Sequence, residues 1–253
     1  MQIDLNCDCG ESYGRWELGD DAVMFRYVSS ANVACGAHAG DPDVMRQTVR
    51  QAKAAGVSVG AHPGFPDLLG FGRRVVQMSP DEVFNSVLTQ IGALYAIAKV
   101  EGVTLAHVKA HGALYNYAAV NPPIAQAIAD ATAAFDKRLI FVALAGSPLV
   151  AAGQKAGLHV AQEAFADRAY EADGSLRNRK LAGAMIEDNA LALAQVIRMV
   201  TEGYTLSHNE QRVTIQADTI CLHGDTPGAA ARAQFLRNGL EHAGIAIKVL
   251  SEK

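Results

Sequence analysis

Three stretches of the sequence carry polar residues at every second position. They are Asp4, Asn6 and Asp8; His107, Lys109 and His111; and Cys221, His223 and Asp225. A period of two places each set on one face of a β-strand. Similar residues follow other apolar runs: His38 in ACGAHAGD, His62 in GAHPGFPD, and Glu163 after LHVAQ. Carboxylates, imidazoles and a lysine are the groups of acid–base work and metal ligation. Asp8 with two of His38, His62 and His111 is a donor set for Zn or Fe, with positions left for water and substrate. Alternatively, Lys109 and His111 are a charge and an acid/base inside a carboxylate-binding pocket. Arg73 and Arg74 after the turn GFG, and Arg168 in FADR, are candidate clamps for a carboxylate or phosphate. Asn6 and His223, on the same strand faces, are candidate substrate contacts.

A lone histidine near a strand end is ordinarily structural, and an Asp before a Pro is ordinarily a helix cap, as at Asp41. Shared position argues otherwise. His38, His62, His111, Glu163 and His223 all fall at the C-terminal ends of expected strands, which is the functional rim of an α/β barrel.

The elements that must position them are punctuated clearly. Asp41-Pro42, Ser79-Pro80, Asn121-Pro122, Ser147-Pro148 and Thr226-Pro227 each put a capping side chain before a proline. That pair starts helices. Glu82 adds a capping box to Ser79. Gly56, Gly102, Gly157, Gly203 and Gly244 stop them. Helices are expected at 42–55, 80–101, 122–135, 148–156, 185–202 and 227–243. Short apolar runs predict strands at 2–8, 30–36, 57–61, 104–110, 138–144, 158–163, 218–223 and 245–250. Alternation over residues 1–253, with no linker, predicts one α/β domain, a (β/α) barrel of seven or eight strands. Segments 62–78 and 163–184 are long βα loops, where barrels keep their chemistry. Segment 204–217 reads as a hairpin or an irregular excursion.

Composition narrows the function. Of 253 residues, 50% are hydrophobic and 19% charged, which excludes a disordered chain. A net charge of −4 argues against a nucleic-acid partner. Four irregularly spaced cysteines suit a reducing cytoplasm better than a disulfide framework. The start, MQIDLNCDCGE, has acids where a signal peptide needs bases. The apolar stretch 139–153 is broken by Gly146, Ser147 and Pro148, so no membrane association is expected. There is no P-loop. GVSVG at 56–60 puts Ser58 in a strand rather than at a nucleophile elbow.

Six blocks together resemble the LamB/YcsF family: DLNCDCGESYG, NVACGAHAGD, GAHPGFPDLLGFGRR, VKAHGALYN, EAFADRAY and CLHGDTP. They run from residue 4 to 227 in the family's order. Ala110 stands where the family pattern has proline, facing away from Lys109 and His111 by parity. The resemblance implies a glycoside hydrolase/deacetylase-type barrel, commonly of seven strands. It also implies a 5-oxoprolinase activity: ATP-dependent opening of 5-oxo-L-proline to L-glutamate, performed with subunits B and C. Lys109 with one of Arg73, Arg74 and Arg168 would then supply cations, and Asp8, Glu163 or His111 the base. Mg²⁺ would accompany ATP and use Asp8 or Asp225. Two other readings stay open: a stand-alone metal-dependent amidohydrolase or deacetylase, and a non-catalytic barrel that captures substrate for partners.

Overall fold

A computed structural model of the chain describes residues 1–222 and 228–250. Its strands are β1 (Gln2–Cys9), β2 (Ser30–Ala34), β3 (Ser58–His62), β4 (Leu105–Lys109), β5 (Ile140–Leu144), β6 (Val160–Phe165), β7 (Tyr204–Leu206), β8 (Arg212–Thr214), β9 (Thr219–Leu222) and β10 (Ala246–Ile247). Its helices are α1 (Asp21–Met24), α2 (Pro42–Ala55), α3 (Pro80–Val100), α4 (Gly112–Ala118), α5 (Pro122–Phe135), α6 (Pro148–Lys155), α7 (Asn189–Glu202) and α8 (Ala229–His242).

The caps act as their chemistry requires. Asp41 accepts from the amides of Asp43 and Val44 at the head of α2, and Gly56 ends that helix in the left-handed region. Ser79 and Glu82 form the reciprocal box at the head of α3. Asn121 and Ser147 cap α5 and α6. Thr226 and Pro227 lie outside the described residues, and α8 begins at Ala229.

Strands β1 to β6 pair in parallel in chain order, and β9 follows β6. β9 also pairs with β1, Asp4 opposite Thr219 and Cys7 opposite Leu222. That pairing closes a barrel of seven strands. The eighth expected strand exists only as β10, two residues beside the start of β1. Segment 204–217 contains the antiparallel hairpin β7–β8.

Parity sorts the side chains. Leu5 and Cys7 on β1, Val33 on β2 and Val108 on β4 join one apolar core with Val49, Val87, Ile91 and Ile128 of the surrounding helices. The even-numbered residues of β1 point the other way and fill the barrel with hydrogen bonds. Asp4 accepts from the hydroxyls of Ser29 (2.7 Å), Ser30 (2.6 Å) and Thr219. Burial pushes its pKa up, although these hydroxyls oppose the shift. Asn32 donates to Asn6 and Asp8 and accepts from His107 at 2.7 Å. This interior is polar and largely paired, as buried polar groups ordinarily are, with His107 Nδ1 left without a partner among the described residues.

Two consequences are measurable. Gly60 sits against His107, and a Cβ there would lie 2.2 Å from the imidazole ring. Gly60→Ala is therefore expected to cost about 1–3 kcal/mol of stability, as overpacking ordinarily does. A denaturant midpoint at the wild-type value would refute the close approach. His107 itself is fully buried, and burial, then the charge of Lys109, pushes its pKa down to about 3. The unfolded chain thus takes up a proton that the folded one refuses between about pH 6.5 and the folded value. Stability should fall by about 2–3 kcal/mol between about pH 7.5 and 4.5 on this account alone. Urea titrations of wild type and His107→Gln at both pH values test it; equal losses in the two proteins would exclude His107 as the source.

Against the expectation that no segment suits a membrane, α3 has the length and hydropathy to cross one. It lies instead along the barrel and buries Val83, Val87, Ile91, Leu94 and Ala98.

Candidate active site at the barrel mouth

The C-terminal strand ends converge on Lys109. Its ammonium lies 2.9 Å from Asp8 Oδ1, 2.9 Å from Glu163 Oε1, 3.1 Å from Cys221 Sγ and 3.3 Å from Asn6 Oδ1. The residue is only 2% exposed. Burial works against its charge, yet Asp8, Cys221 and Glu163 outweigh burial and hold its pKa well above the usual lysine value. The converse holds for Asp8. Burial alone would raise its pKa, but His62 and Lys109 pull it well below the carboxylate range. The pair is therefore ionised at neutral pH.

Glu163 sits below Lys109. It accepts from Asn6 Nδ2 (3.1 Å) and from the hydroxyl of Tyr115 (2.7 Å), and it is fully buried. Asn6 also donates to Thr219 and accepts from Asn32, so its amide is fully engaged inside the barrel. Neither lines the cavity at the mouth. Both orient Lys109, which differs from the expected base (Glu163) and substrate contact (Asn6). Tyr115, which sequence reasoning did not single out, does line that cavity. Its signal was ALYN, directly after a strand end.

A second cluster adjoins the first. Glu11, His38, His62 and His111 offer four ligand atoms, all within 4.8 Å of one another. His62 Nδ1 donates to the Lys109 carbonyl (2.7 Å), and His111 Nε2 donates to the Phe71 carbonyl (2.9 Å). Those bonds leave His62 Nε2 and His111 Nδ1 facing each other at 3.0 Å. His38 stacks flat on His111, its ring centroid 3.8 Å away. Burial first, then His62, pushes the pKa of His111 down to about 3; burial and both neighbouring imidazoles lower His38 well below its ordinary value. Three imidazoles and one carboxylate so placed could hold a metal. Asp8, expected as a ligand, touches the cluster through His62 Nε2 (3.3 Å) but belongs chiefly to Lys109. Glu11 was missed; its signal was a carboxylate just past the end of β1.

The GFG turn needs its second glycine here. Gly72 has φ +61, and a Cβ on it would lie 2.8 Å from both the His111 ring and His38 Cβ.

Above both clusters opens a cavity of about 1020 Å³. Asp8, Lys109, His111 and Tyr115 line it together with Arg73, Arg168, Arg177, Arg179 and Arg212. Arg168 is 5% exposed, donates to the Arg177 carbonyl at 2.6 Å, and leaves its buried Nε unpartnered among the described residues. Burial, then neighbouring Arg179, lowers its pKa. Arg73 stacks over Phe71 at the rim. Arg74 differs from the expectation. It forks onto Asp67 and is not among the residues that line the cavity. His223 and Asp225 lie outside the described residues.

Residues 3–253 match the family model described as LamB/YcsF family. The chain belongs to that family. Among LamB/YcsF relatives, the 5-oxoprolinase A subunit of Chloroflexus aggregans is 58% identical over 248 residues, 98% of each chain. The corresponding 5-oxoprolinase A subunit of Bordetella pertussis is 52% identical over 246 residues, 97% of this chain and 98% of the relative. The crystal structure of the lactam utilization protein from Thermus thermophilus superposes with a TM-score of 0.95 at 48% identity, covering 99% of this chain and 100% of that one. The seven-strand barrel and the family are as the six sequence blocks implied.

Proposed function

We propose that this chain is the A subunit of an ATP-hydrolysing 5-oxoprolinase, which opens 5-oxo-L-proline to L-glutamate together with subunits B and C. What carries this reading is identity above one half, over nearly the full length of both chains, with relatives of that name.

The chemistry accounts for the residues. A lactam carbonyl is protected by amide resonance, and transfer of the γ-phosphoryl of ATP to its oxygen, releasing ADP, removes that protection. Water then adds to the carbon and yields a proton to a base. The ring C–N bond breaks as the nitrogen takes a proton, and a second water cleaves the acyl phosphate to glutamate and phosphate. Such a site needs fixed cations for phosphoryl and carboxylate oxygens and an acceptor beside the carbon. Arg168 and Arg73, both lining the cavity, suit the anions. Asp8, oriented by Lys109 and Asn32, is the acceptor that reaches the cavity. Mg²⁺ would arrive with ATP and take oxygen ligands, among them Asp8. Four free, buried thiols fit a reducing cytoplasm as the setting.

The test is 5-oxoproline-dependent ATP hydrolysis with glutamate measured alongside, for the chain alone and mixed with subunits B and C, with and without Mg²⁺. Turnover only in the mixture is the expected result. None in a verified, folded mixture would overturn the reading. The cluster of Glu11 and three histidines favours one rival, a stand-alone metal-dependent hydrolase. Turnover by the chain alone without ATP would establish that instead.

A further inference from the structure

Three imidazoles and a carboxylate meet beside Asp8, and protein groups alone leave imidazole nitrogens among them unsatisfied. The Lys109 and Phe71 carbonyls take the N–H of His62 and of His111. The remaining ring nitrogens, His62 Nε2 and His111 Nδ1, therefore present lone pairs to each other at 3.0 Å. Carboxylate oxygens close the same space: Glu11 Oε1 is 3.5 Å from His111 Nδ1, and Asp8 Oδ2 is 3.3 Å from His62 Nε2. The third imidazole, His38, is 1% exposed, and neither of its ring nitrogens has a hydrogen-bond partner among the described residues. Its Nε2 is 4.0 Å from Glu11 Oε1. One shared proton between His62 and His111 would satisfy a single pair and leave His38 orphaned. A dication satisfies all of them.

From this geometry we infer that Glu11, His38, His62 and His111 form a resident binding site for one divalent transition metal, distinct from the Mg²⁺ that accompanies ATP. Three imidazoles and one carboxylate suit Zn²⁺ and its first-row neighbours, whereas Mg²⁺ demands oxygen ligands. The carbonyl bonds to His62 and His111 are the outer contacts that fix the tautomer of metal-bound histidine. The donor atoms span up to 4.8 Å. Adjacent ligands of a tetrahedral zinc lie about 3.4 Å apart, so the set must contract by roughly an ångström, and His38, held by no hydrogen bond, is the group that can turn. Asp8 and His111 also line the cavity, so the ion would lie at its floor beside the Asp8–Lys109 pair.

This inference stands on the chain's own geometry, and its test needs neither turnover nor a partner protein. The purified chain is stripped with a chelator, checked for a cooperative melt, titrated with Zn²⁺ or Co²⁺ in millimolar Mg²⁺, and desalted. Elemental analysis should find about one equivalent of metal per chain, and the Co²⁺ form should show the intense visible bands of a four- or five-coordinate site. His38→Asn and Glu11→Gln should each weaken binding at least about tenfold. Glu11→Gln is nearly isosteric and keeps the test alive if His38→Asn fails to fold. Uptake below about a tenth of an equivalent by folded wild-type chain would overturn the site. So would undiminished uptake by both folded variants, which would place the metal elsewhere. Loss of 5-oxoprolinase turnover with metal uptake intact would bear on the enzymatic reading and leave the metal centre standing.

Discussion

Replacing Lys109 with Met is expected to abolish measurable 5-oxoproline-dependent ATP hydrolysis in the assembled enzyme, a loss of at least about a hundredfold. The same substitution should cost about 3–5 kcal/mol of stability, because it strands the buried Glu163 and the half-buried Asp8 without their shared cation. Stability and catalysis can be separated. The triple variant Lys109→Met, Glu163→Gln, Asp8→Asn removes the charges together and should recover much of the stability while remaining inactive. A folded Lys109→Met protein at near-normal rate would show that the ion triad only holds the barrel. Failure of the triple variant to regain stability would show instead that the network's hydrogen bonds matter more than its charges.

The second large effect belongs to Arg168. Its guanidinium is fixed by the Arg177 carbonyl, and the residue lines the cavity. Removing a charge-assisted contact to a substrate anion costs about 1.5–3 kcal/mol, equivalent to roughly a 10- to 150-fold rise in the half-saturating concentration of 5-oxoproline or ATP. Arg168→Ala should show that rise for one of the two substrates, and which one moves identifies the anion it holds. Arg74→Ala is the contrast. Its partner is Asp67 and its side chain is largely exposed, so saturation by both substrates should stay where it was. If the two variants behave alike, the assignment of Arg168 to the cavity is wrong.

Much of the architecture was legible because its signals are local. Pro42 and Pro122 mark the starts of α2 and α5, and the glycine stops follow the helices. Strand parity also carried over: Asp4, Asn6 and Asp8 do share the barrel's interior face. What parity does not carry is depth. Asn6 and Glu163 are polar and face the barrel interior as Asp8 does, yet they lie deeper and contact Lys109. Depth depends on strand stagger around a closed sheet, which no single strand records. Glu11 escaped because it lies beyond the strand, where period two no longer applies. The helix α4 escaped because it starts directly after β4 with His111 at its cap position and no capping side-chain bond. Arg74 misled because adjacent arginines look alike in sequence, whereas the chain turns one toward the cavity rim and the other toward Asp67.

The pairing of β1 with β9 has a kinetic meaning. Asp4 hydrogen-bonds Thr219, so the first strand made on the ribosome waits for one of the last. Closing a loop of that span is entropically slow, and contacts so distant in sequence are formed late in folding. Until β9 arrives, β1 has a bare edge, and a chain interrupted before residue 219 cannot assemble the site at all. A fragment ending before residue 219, and so lacking about the last seventh of the chain, should therefore be a client for chaperones and proteases rather than a weakly active protein.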